Sequence, residues 1–462
     1  MKPKTPAKLF GTDGIRAKAG EFPLDPVTVR VIGASLAQHL SERSGGRTPS
    51  IVIGRDTRES GGSIEEALTQ GARWAGATVE SAGVITTPGI AFLARSLPTD
   101  AGVVISASHN PYKDNGIKIF TASGRKLDDA TEKKIEADIT GGQFEKFLVT
   151  DDASSAFPTR ADALRDFYLR YLRHDVARDV ALQGLKMVVD CANGAASELA
   201  PRLFSDLGAN VIAINNRPDG HNINLNCGSL HIEGLQQRVT REHADLGVAF
   251  DGDADRALFV DADGKFVDGD ATLWVLANYM HSRGQLDQGV VVSTVMANLG
   301  LEAALRARGI KLVRTDVGDK YVLDELLRLQ AALGGEQSGH IIFPKIGLAG
   351  DGMITAINLL QVMREAEKSL VRLTEGFARF PQVLLNVRVR EKIPFEALPK
   401  VQEQAREIER SMGDRGRLLL RYSGTEPLAR VMIEGEDETK VQAAASSLAA
   451  LINAEIGADE VT

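Results

Sequence analysis

The chain has 462 residues, of which 43% are hydrophobic and 25% charged, with a formal net charge of −8 and a pI near 5.6. That length holds about three or four domains, the composition is that of a soluble globular protein, and an acidic balance without any broad basic stretch excludes nucleic acid as the main partner. Two cysteines, Cys191 and Cys227, are too few for a disulfide framework. No run reaches the roughly 18 apolar residues of a membrane span, and MKPKTPAKLF lacks a signal-peptide core, so the expected location is the cytoplasm.

The first segment alternates strand and helix patterns. Ile51–Gly54 reads as a strand running into GRDTR, a helix follows over 62–74, and another, with proline in its first turn, over 88–97. Val103–Ile105 and Ile117–Phe120 are β-branched and apolar runs separated by the polar residues 106–116, a loop longer than a plain hairpin needs. This is β-α-β grammar and predicts a mostly parallel sheet covered by helices. The polar, aperiodic stretch Asp151–Thr159 reads as a linker.

A second unit opens with a helix over 161–172. Strands follow at Met187–Asp190 and Val211–Ile214, then an Asn- and Gly-rich loop over 215–228, then the strand Leu246–Phe250 running into DGDADR. A third unit is predicted to begin with the hairpin DADGKFV. It continues with a helix over 270–282, a strand at Val290–Ser293, a helix over 299–308, then GGEQSGH and a helix over 350–367. VIGRDTR, VVDCANG and VVSTVMANLG each place an apolar strand before a polar turn, which marks three related α/β units in series rather than a solenoid. From about Ser369 the pattern changes: VLLNVRVR alternates as a half-exposed antiparallel strand does, and a small α+β domain is expected. The domains so divided are 1–155, 156–256, 257–368 and 369–462.

Four stretches carry chemistry. In SASHNP, Ser108 sits mid-loop beside His109. In DGDADR, Asp251, Asp253 and Asp255 alternate directly after an apolar strand; three carboxylates this close repel unless a cation lies among them. All-oxygen ligands favour a hard divalent ion such as Mg²⁺. A calcium-binding helix-loop-helix is excluded, because Ala262 stands where its twelfth-position Glu is required. Arg256 follows and can clamp a phosphoryl oxygen. GGEQSGH supplies Glu336, Ser338 and His340 for sugar hydroxyl or amino groups. RYSGTEP supplies Arg421, Ser423, Gly424 and Thr425, with Arg430 on the strand beyond, a set suited to a phosphate dianion. Near the start, FGTDGIR offers Arg16 for a phosphate or as a partner of Asp13. The sites fall one per unit, each at the carboxyl end of a strand, where open α/β sheets bind ligands.

Taken together, SASHNP with DNGIKIF, DGDADR, GGEQSGH and RYSGTEPLARVMIEG resemble the phosphoserine, metal, sugar and phosphate loops of the α-D-phosphohexomutase superfamily, over the whole chain. The FGTDGIR, DGDADR and EQSGH forms most resemble its bacterial branch acting on glucosamine phosphates; relatives acting on mannose and glucose phosphates, the alternative, usually carry Met in place of Gln337. Tyr422 and Ala429 depart from the pattern beside the phosphate positions. The resemblance implies three mixed α/β domains and a TBP-like α+β fourth domain around a shared central cleft. It implies that phosphorylated Ser108 gives its phosphoryl group to glucosamine 6-phosphate and that a 1,6-bisphosphate forms, turns around and returns the other phosphate, yielding glucosamine 1-phosphate for UDP-N-acetylglucosamine and cell-wall synthesis. It further implies one Mg²⁺ on Ser108, Asp251, Asp253 and Asp255, Lys118 as acid/base group, His109 and Arg16 at the transferring phosphoryl, hexosamine 1,6-bisphosphate as activator, and a homodimer as the common assembly. A dead sugar-phosphate sensor has no need of a phosphorylatable serine; a metal-dependent phosphatase is the remaining contrast.

Overall fold

The computed structural model describes residues 8–142, 160–423 and 427–458; the predicted linker Asp151–Thr159, and with it Gly424 and Thr425 of the phosphate loop, lie outside them. The first sheet is built from β1 (Phe10–Gly11), β2 (Gly14–Lys18), β3 (Ser50–Arg55), β4 (Thr78–Val84), β5 (Ala101–Ile105) and β6 (Asp114–Thr121), in the order β1-β2-β6-β5-β3-β4. β3 is parallel to β4 and β5, but β5/β6, β6/β2 and β2/β1 are antiparallel. The sheet is therefore mixed, not mostly parallel. The cause is the polar loop after β5, which turns the chain straight back instead of crossing over. The return strand also starts earlier than its apolar residues suggest, because Asp114 and Asn115 pair with Lys18 and Ala17 of β2, so the loop spans 106–113.

The second sheet holds β7 (Lys186–Asp190), β8 (Asn210–Ile214), β9 (Leu246–Phe250), β10 (Ala257–Asp261) and β11 (Phe266–Val267), in the order β11-β10-β9-β7-β8. β7 is parallel to β8 and β9, whereas β10 runs back antiparallel along β9 from Ala257↔Phe250 to Asp261↔Leu246. The hairpin DADGKFV thus completes the second sheet; it does not open the third unit. The third sheet orders β12 (Val290–Thr294), β13 (Lys311–Thr315), β14 (Leu333–Gly335) and β15 (Ile341–Ile342) as β13-β12-β14-β15, with β12/β14 parallel and β14/β15 antiparallel. The three related strands VIGRDTR, VVDCANG and VVSTVMANLG are β3, β7 and β12, each with a strand on either side.

The chain divides into two compact units, Met1–Met296 with Leu312–Glu375, and Ala297–Lys311 with Gly376–Thr462. The second carries the antiparallel sheet β16 (Gln382–Arg388), β18 (Leu428–Gly435), β17 (Gly416–Tyr422), in that order, and the helices Pro399–Met412 and Glu438–Ile456. Val387, Val431, Ile433, Leu448 and Ile452 are in its core. The helix Leu299–Ala307, expected in the third α/β unit, belongs here. Asn298 bonds both the carbonyl and the amide of Phe380 (3.0 and 2.9 Å), and the Leu299 amide donates to Glu434 Oε2 at 3.0 Å.

Two helices illustrate how sequence becomes packing. Helix α1 (Pro26–Arg43) starts where Asp25 accepts the Thr28 amide at 3.0 Å, with Pro26 in the first turn. It is buried on most of its surface, from Val29 and Ile32 to Leu36 and Leu40, so it shows no single apolar stripe and escapes periodicity analysis. Helix α2 (Gly61–Trp74) crosses it where both lack a Cβ: one built on Gly33 would lie 2.1 Å from the Leu68 carbonyl oxygen, and one on Gly71 would lie 1.9 Å from that of Arg30. Because backbone stands in the way, Gly71→Ala is expected to destabilise the protein by about 1–3 kcal/mol, the usual cost of overpacking. Gly62→Ala, where a Cβ meets nothing within 4 Å, should be neutral or slightly stabilising. The thermal unfolding midpoints of the two variants provide the comparison.

Candidate active site

Three of the four motifs occupy one topological position. SASHNP joins β5 to β6, DGDADR joins β9 to β10, and GGEQSGH joins β14 to β15. Each is the turn between a strand parallel to its neighbour and its antiparallel return. The first two meet closely: a Cβ on Gly252 would lie 2.5 Å from the Ser108 carbonyl oxygen, so only glycine lets the acidic loop approach the serine loop.

Ser108 is fully buried and has a left-handed backbone, φ 54°, a conformation that costs a non-glycine residue of order 1 kcal/mol or more. Its surroundings hold it there. The Ser108 amide donates to Ser106 Oγ at 2.9 Å, and Ser106 Oγ donates to Asp56 Oδ2 at 2.7 Å. The Ser108 carbonyl accepts from Arg58 Nη2 and from Asn224 Nδ2, each at 2.9 Å. Arg58, itself buried, also donates to the carbonyls of Asn110 (2.8 Å), Asp114 (3.0 Å) and Pro111, and its Nε to Asp56 Oδ2 at 2.9 Å. One guanidinium thus ties down most of the loop, a task that needs its fixed fork of donors. Burial raises the Asp56 carboxyl, opposed by Arg58.

The Ser108 hydroxyl donates to Asp251 Oδ2 at 2.6 Å and lies 3.3 Å from His109 Nδ1. Burial holds His109 down at about 4, with Arg256 and Arg16 acting in the same direction, so the ring is neutral at physiological pH. Asp251, Asp253 and Asp255 are buried and offer ligand atoms within 4.8 Å of one another. Burial, then Asp255 and Asp253, raise the Asp251 carboxyl well above its ordinary range. Burial acts upward on Asp255 too, but Lys118, His340 and Arg256 hold it well below. Lys118 Nζ lies 2.8 Å from Asp253 Oδ2, 3.4 Å from Asp255 Oδ2 and 3.0 Å from Asp13 Oδ2. Thr87 Oγ1 donates to Asp253 Oδ2 at 2.6 Å. Asp253 Oδ1 and Asp255 Oδ1 are buried with no hydrogen-bond partner among the described residues. Buried orphan carboxylate oxygens in an all-oxygen cluster fit a hard divalent cation.

The sugar-loop residues lie in the same compact unit. Glu336 to Gly339 form a turn, with the Gly339 amide donating to the Glu336 carbonyl at 2.9 Å. Burial raises the Glu336 carboxyl, while His340 and Arg256 pull it down. The Nε2 of Gln337 and the Oγ of Ser338 are buried and find no partner among the described residues, as do Nε of Arg16 and of Arg256. Arg16 pairs with Asp13 and reaches Asn110 Oδ1 at 3.4 Å. His340 lies 3.6 Å from Asp255 Oδ2; burial acts downward on it, but Asp255, Asp319 and Glu336 lift it to about 9. In the second compact unit, Arg421 of β17 is registered opposite Arg430 of β18, whose Nη2 lies 3.5 Å from Ser423 Oγ. Like charges directly opposite on a sheet destabilise it, and an anion between them would reverse that. Burial and Arg430 both lower Arg421.

The residues that hold the serine loop leave little trace in the local sequence. Asp56 and Arg58 stood in GRDTR, where two charges directly after a buried strand were the available signal. Asn224 stood in the Asn- and Gly-rich loop, whose composition hid it.

Residues 7–146, 166–264 and 268–380 match phosphoglucomutase/phosphomannomutase alpha/beta/alpha domains I, II and III, and 384–451 the C-terminal domain of the same family. A phosphoglucosamine mutase of Solibacter usitatus is 49% identical over 97% of this chain and 99% of its own length; one of Koribacter versatilis is 47% identical over 97% of each. Among solved structures, a phosphoglucomutase/phosphomannomutase family protein of Burkholderia thailandensis aligns with TM-score 0.78 and 24% identity over 97% of both chains. An N-acetylglucosamine-phosphate mutase aligns with TM-score 0.68 and 17% identity over 98% of this chain and 97% of that one.

Arg58→Met leaves Asp56 and several loop carbonyls buried without their donor. It is expected to cost about 3–5 kcal/mol of stability, as for breaking a buried pair. The double variant with Asp56→Asn should lose less than the sum of the two singles. Unfolding midpoints of the three variants measure both.

Proposed function

The chain belongs to the phosphoglucomutase/phosphomannomutase family, and we propose that it interconverts glucosamine 6-phosphate and glucosamine 1-phosphate through a phosphorylated Ser108. The observation that carries this reading is Ser108 itself: buried, held in a strained backbone by Arg58 and Asn224, with its hydroxyl on the Asp251 carboxylate. Full-length kinship with phosphoglucosamine mutases supports the amino-sugar substrate.

Phosphate monoesters resist uncatalysed hydrolysis, so the site must position the phosphoryl group and neutralise its charge. The bond between phosphorus and Ser108 Oγ breaks as one forms to the sugar O1. The proton of that hydroxyl replaces one that Lys118 would give to the departing serine oxygen, giving the 1,6-bisphosphate. After the sugar turns around, Ser108 Oγ gives up its proton and takes the phosphoryl from O6, which is protonated in turn. Lys118, paired with three carboxylates, is held as a cation: it can neutralise the moving phosphoryl group and donate a proton. Neutral His109 is within hydrogen-bonding range of Oγ, and Arg16, which reaches Asn110, and Arg256, beside Asp255, would take phosphoryl oxygens. Glu336 would accept the protonated 2-amino group by a charge-assisted bond, with Gln337, Ser338 and His340 beside it. Arg421, Ser423, Gly424, Thr425 and Arg430 would take the phosphate that does not move. Mg²⁺ on Asp251, Asp253, Asp255 and an oxygen of phosphorylated Ser108 would supply charge neutralisation during transfer. A hexosamine 1,6-bisphosphate would activate the enzyme by loading Ser108. Two free, buried cysteines suit a reducing cytoplasm, and among the described residues no helix is long and apolar enough to cross a membrane.

Peptide mass spectrometry should find phosphate on Ser108, and Ser108→Ala should lose turnover by several orders of magnitude; an active Ser108→Ala protein would sink the nucleophile assignment. Chelation should abolish turnover and Mg²⁺ restore it. Asp253→Asn should weaken Mn²⁺ binding measured by calorimetry, because it removes one of three ligand charges. In parallel assays with bisphosphate present, kcat/KM for glucosamine 6-phosphate should exceed that for glucose and mannose 6-phosphates. A preference for either neutral sugar would overturn the amino-sugar assignment while leaving the family intact.

A further inference from the structure

Behind the acidic cluster, six titratable groups follow one another in a ring. Lys118 Nζ lies 3.0 Å from Asp13 Oδ2, and Asp13 Oδ1 lies 2.5 Å from Lys126 Nζ. Lys126 Nζ lies 2.6 Å from Asp319 Oδ2, which is 3.7 Å from His340 Nε2, the nitrogen that accepts the Gly350 amide at 3.2 Å. His340 Nδ1 lies 3.6 Å from Asp255 Oδ2, which is 3.4 Å from Lys118 Nζ. Three members are buried: Lys118, His340 and Asp255. All six but Lys118 line a cavity of about 370 Å³.

We propose that Lys126 and Asp319 are positioning residues, which pair with each other behind the acidic cluster and so fix the Lys118 amine through Asp13 and the side of the His340 ring that Asp319 faces. First, Asp13, Lys126 and Asp319 border the cavity on one side and pair with one another, so ion pairs fix where their charged ends stand. Asp13 in turn is the only partner of Lys118 outside the acidic cluster among the described ion pairs; Lys126 and Arg16 both pair with Asp13, so Lys126 is one of the two cations that place the carboxylate and, through it, the amine. Second, the ring joins different parts of the fold. Lys126 follows β6, which carries Lys118, whereas Asp319 opens the helix Asp319–Leu329 beside the sheet whose β14–β15 turn carries His340. Lys126 and Asp319 are thus the link that sets the amine and the imidazole relative to each other. Neither has a direct contact with Ser108, Asp251 or Asp253 among the described residues, so their effect must pass through Asp13 and His340.

The proposal rests on the mutase reading for its kinetic test, and a metal titration tests it independently. Lys126→Gln should lower kcat about 10- to 100-fold, the loss that follows a misplacement of about 1 Å, with KM for glucosamine 6-phosphate within about twofold of wild type. Lys126→Arg keeps a cation at the same reach and should restore kcat to within about threefold. Asp319→Asn should resemble Lys126→Gln, and the double variant should be no worse than the poorer single, since both break the same ring. In the absence of substrate, Lys126→Gln should bind Mn²⁺ about three- to tenfold more tightly, because a loosened Lys118 compensates the carboxylates less, and Lys126→Arg should bind it as wild type does. Unchanged kcat and unchanged Mn²⁺ affinity in Lys126→Gln would overturn the proposal, as would multiplicative losses in the double variant. A wild-type protein inert on all hexose phosphates would sink the mutase reading alone, and the Mn²⁺ titration would still decide the ring.

Discussion

Three buried carboxylates whose oxygens lie within 4.8 Å of one another cannot all carry their charge without cations close by. Much of the first compact unit answers that constraint. Lys118 reaches two of the three, Arg256 and His340 approach Asp255, and Ser108 donates its hydroxyl to Asp251. The cations bring their own partners, so the charge pattern spreads outward through Asp13 to Lys126 and Asp319. The network would be a poor choice for stability alone, since well-packed apolar residues usually serve as well. It makes sense where a dianionic phosphoryl group has to be accepted and released.

A second constraint is mechanical. The loop carrying Ser108 has almost no apolar side chains with which to pack, yet its serine occupies a backbone region that most residues avoid. The fold solves this with polar anchors aimed at the main chain. Arg58 and Asn224 come from loops after strands of the first and second sheets and share the same two carbonyls, those of Ser108 and Asn110. The serine is therefore set jointly by the first and second α/β domains, and Gly252 permits the close approach.

How much of this was legible in the sequence follows from which forces leave a local trace. Leu246–Phe250 and the β-branched runs around the serine loop announced themselves because burial on both faces demands continuous apolar residues. Helix α1 did not, since burial around most of its circumference erases the periodicity that reveals a surface helix. Asp251, Asp253 and Asp255 were readable because three like charges in five residues are costly wherever they occur. Arg58 was not, because a charged residue after a strand ordinarily points to solvent, and only long-range contacts show that this one does not. The antiparallel return of β6 was missed for a similar reason: Asp114 and Asn115 look like loop residues until β2 supplies partners. Asp13 was visible as a partner of Arg16, but its ties to Lys118 and Lys126 span more than a hundred residues.

The helix Leu299–Ala307 lies in the middle of the chain yet packs with its C-terminal quarter. The polypeptide therefore passes from one compact unit to the other at three points, near residues 296, 311 and 375. A fragment beginning at Gly376 would lack part of its own interior: Phe380 would lose Asn298, and Glu434, fully buried, would lose the Leu299 amide. Modularity in the linear order of motifs thus does not carry over to autonomy of the pieces. The phosphate-loop unit and the sugar-loop domain are interleaved along the backbone, and neither can be excised, swapped or duplicated by cutting the gene at a single boundary.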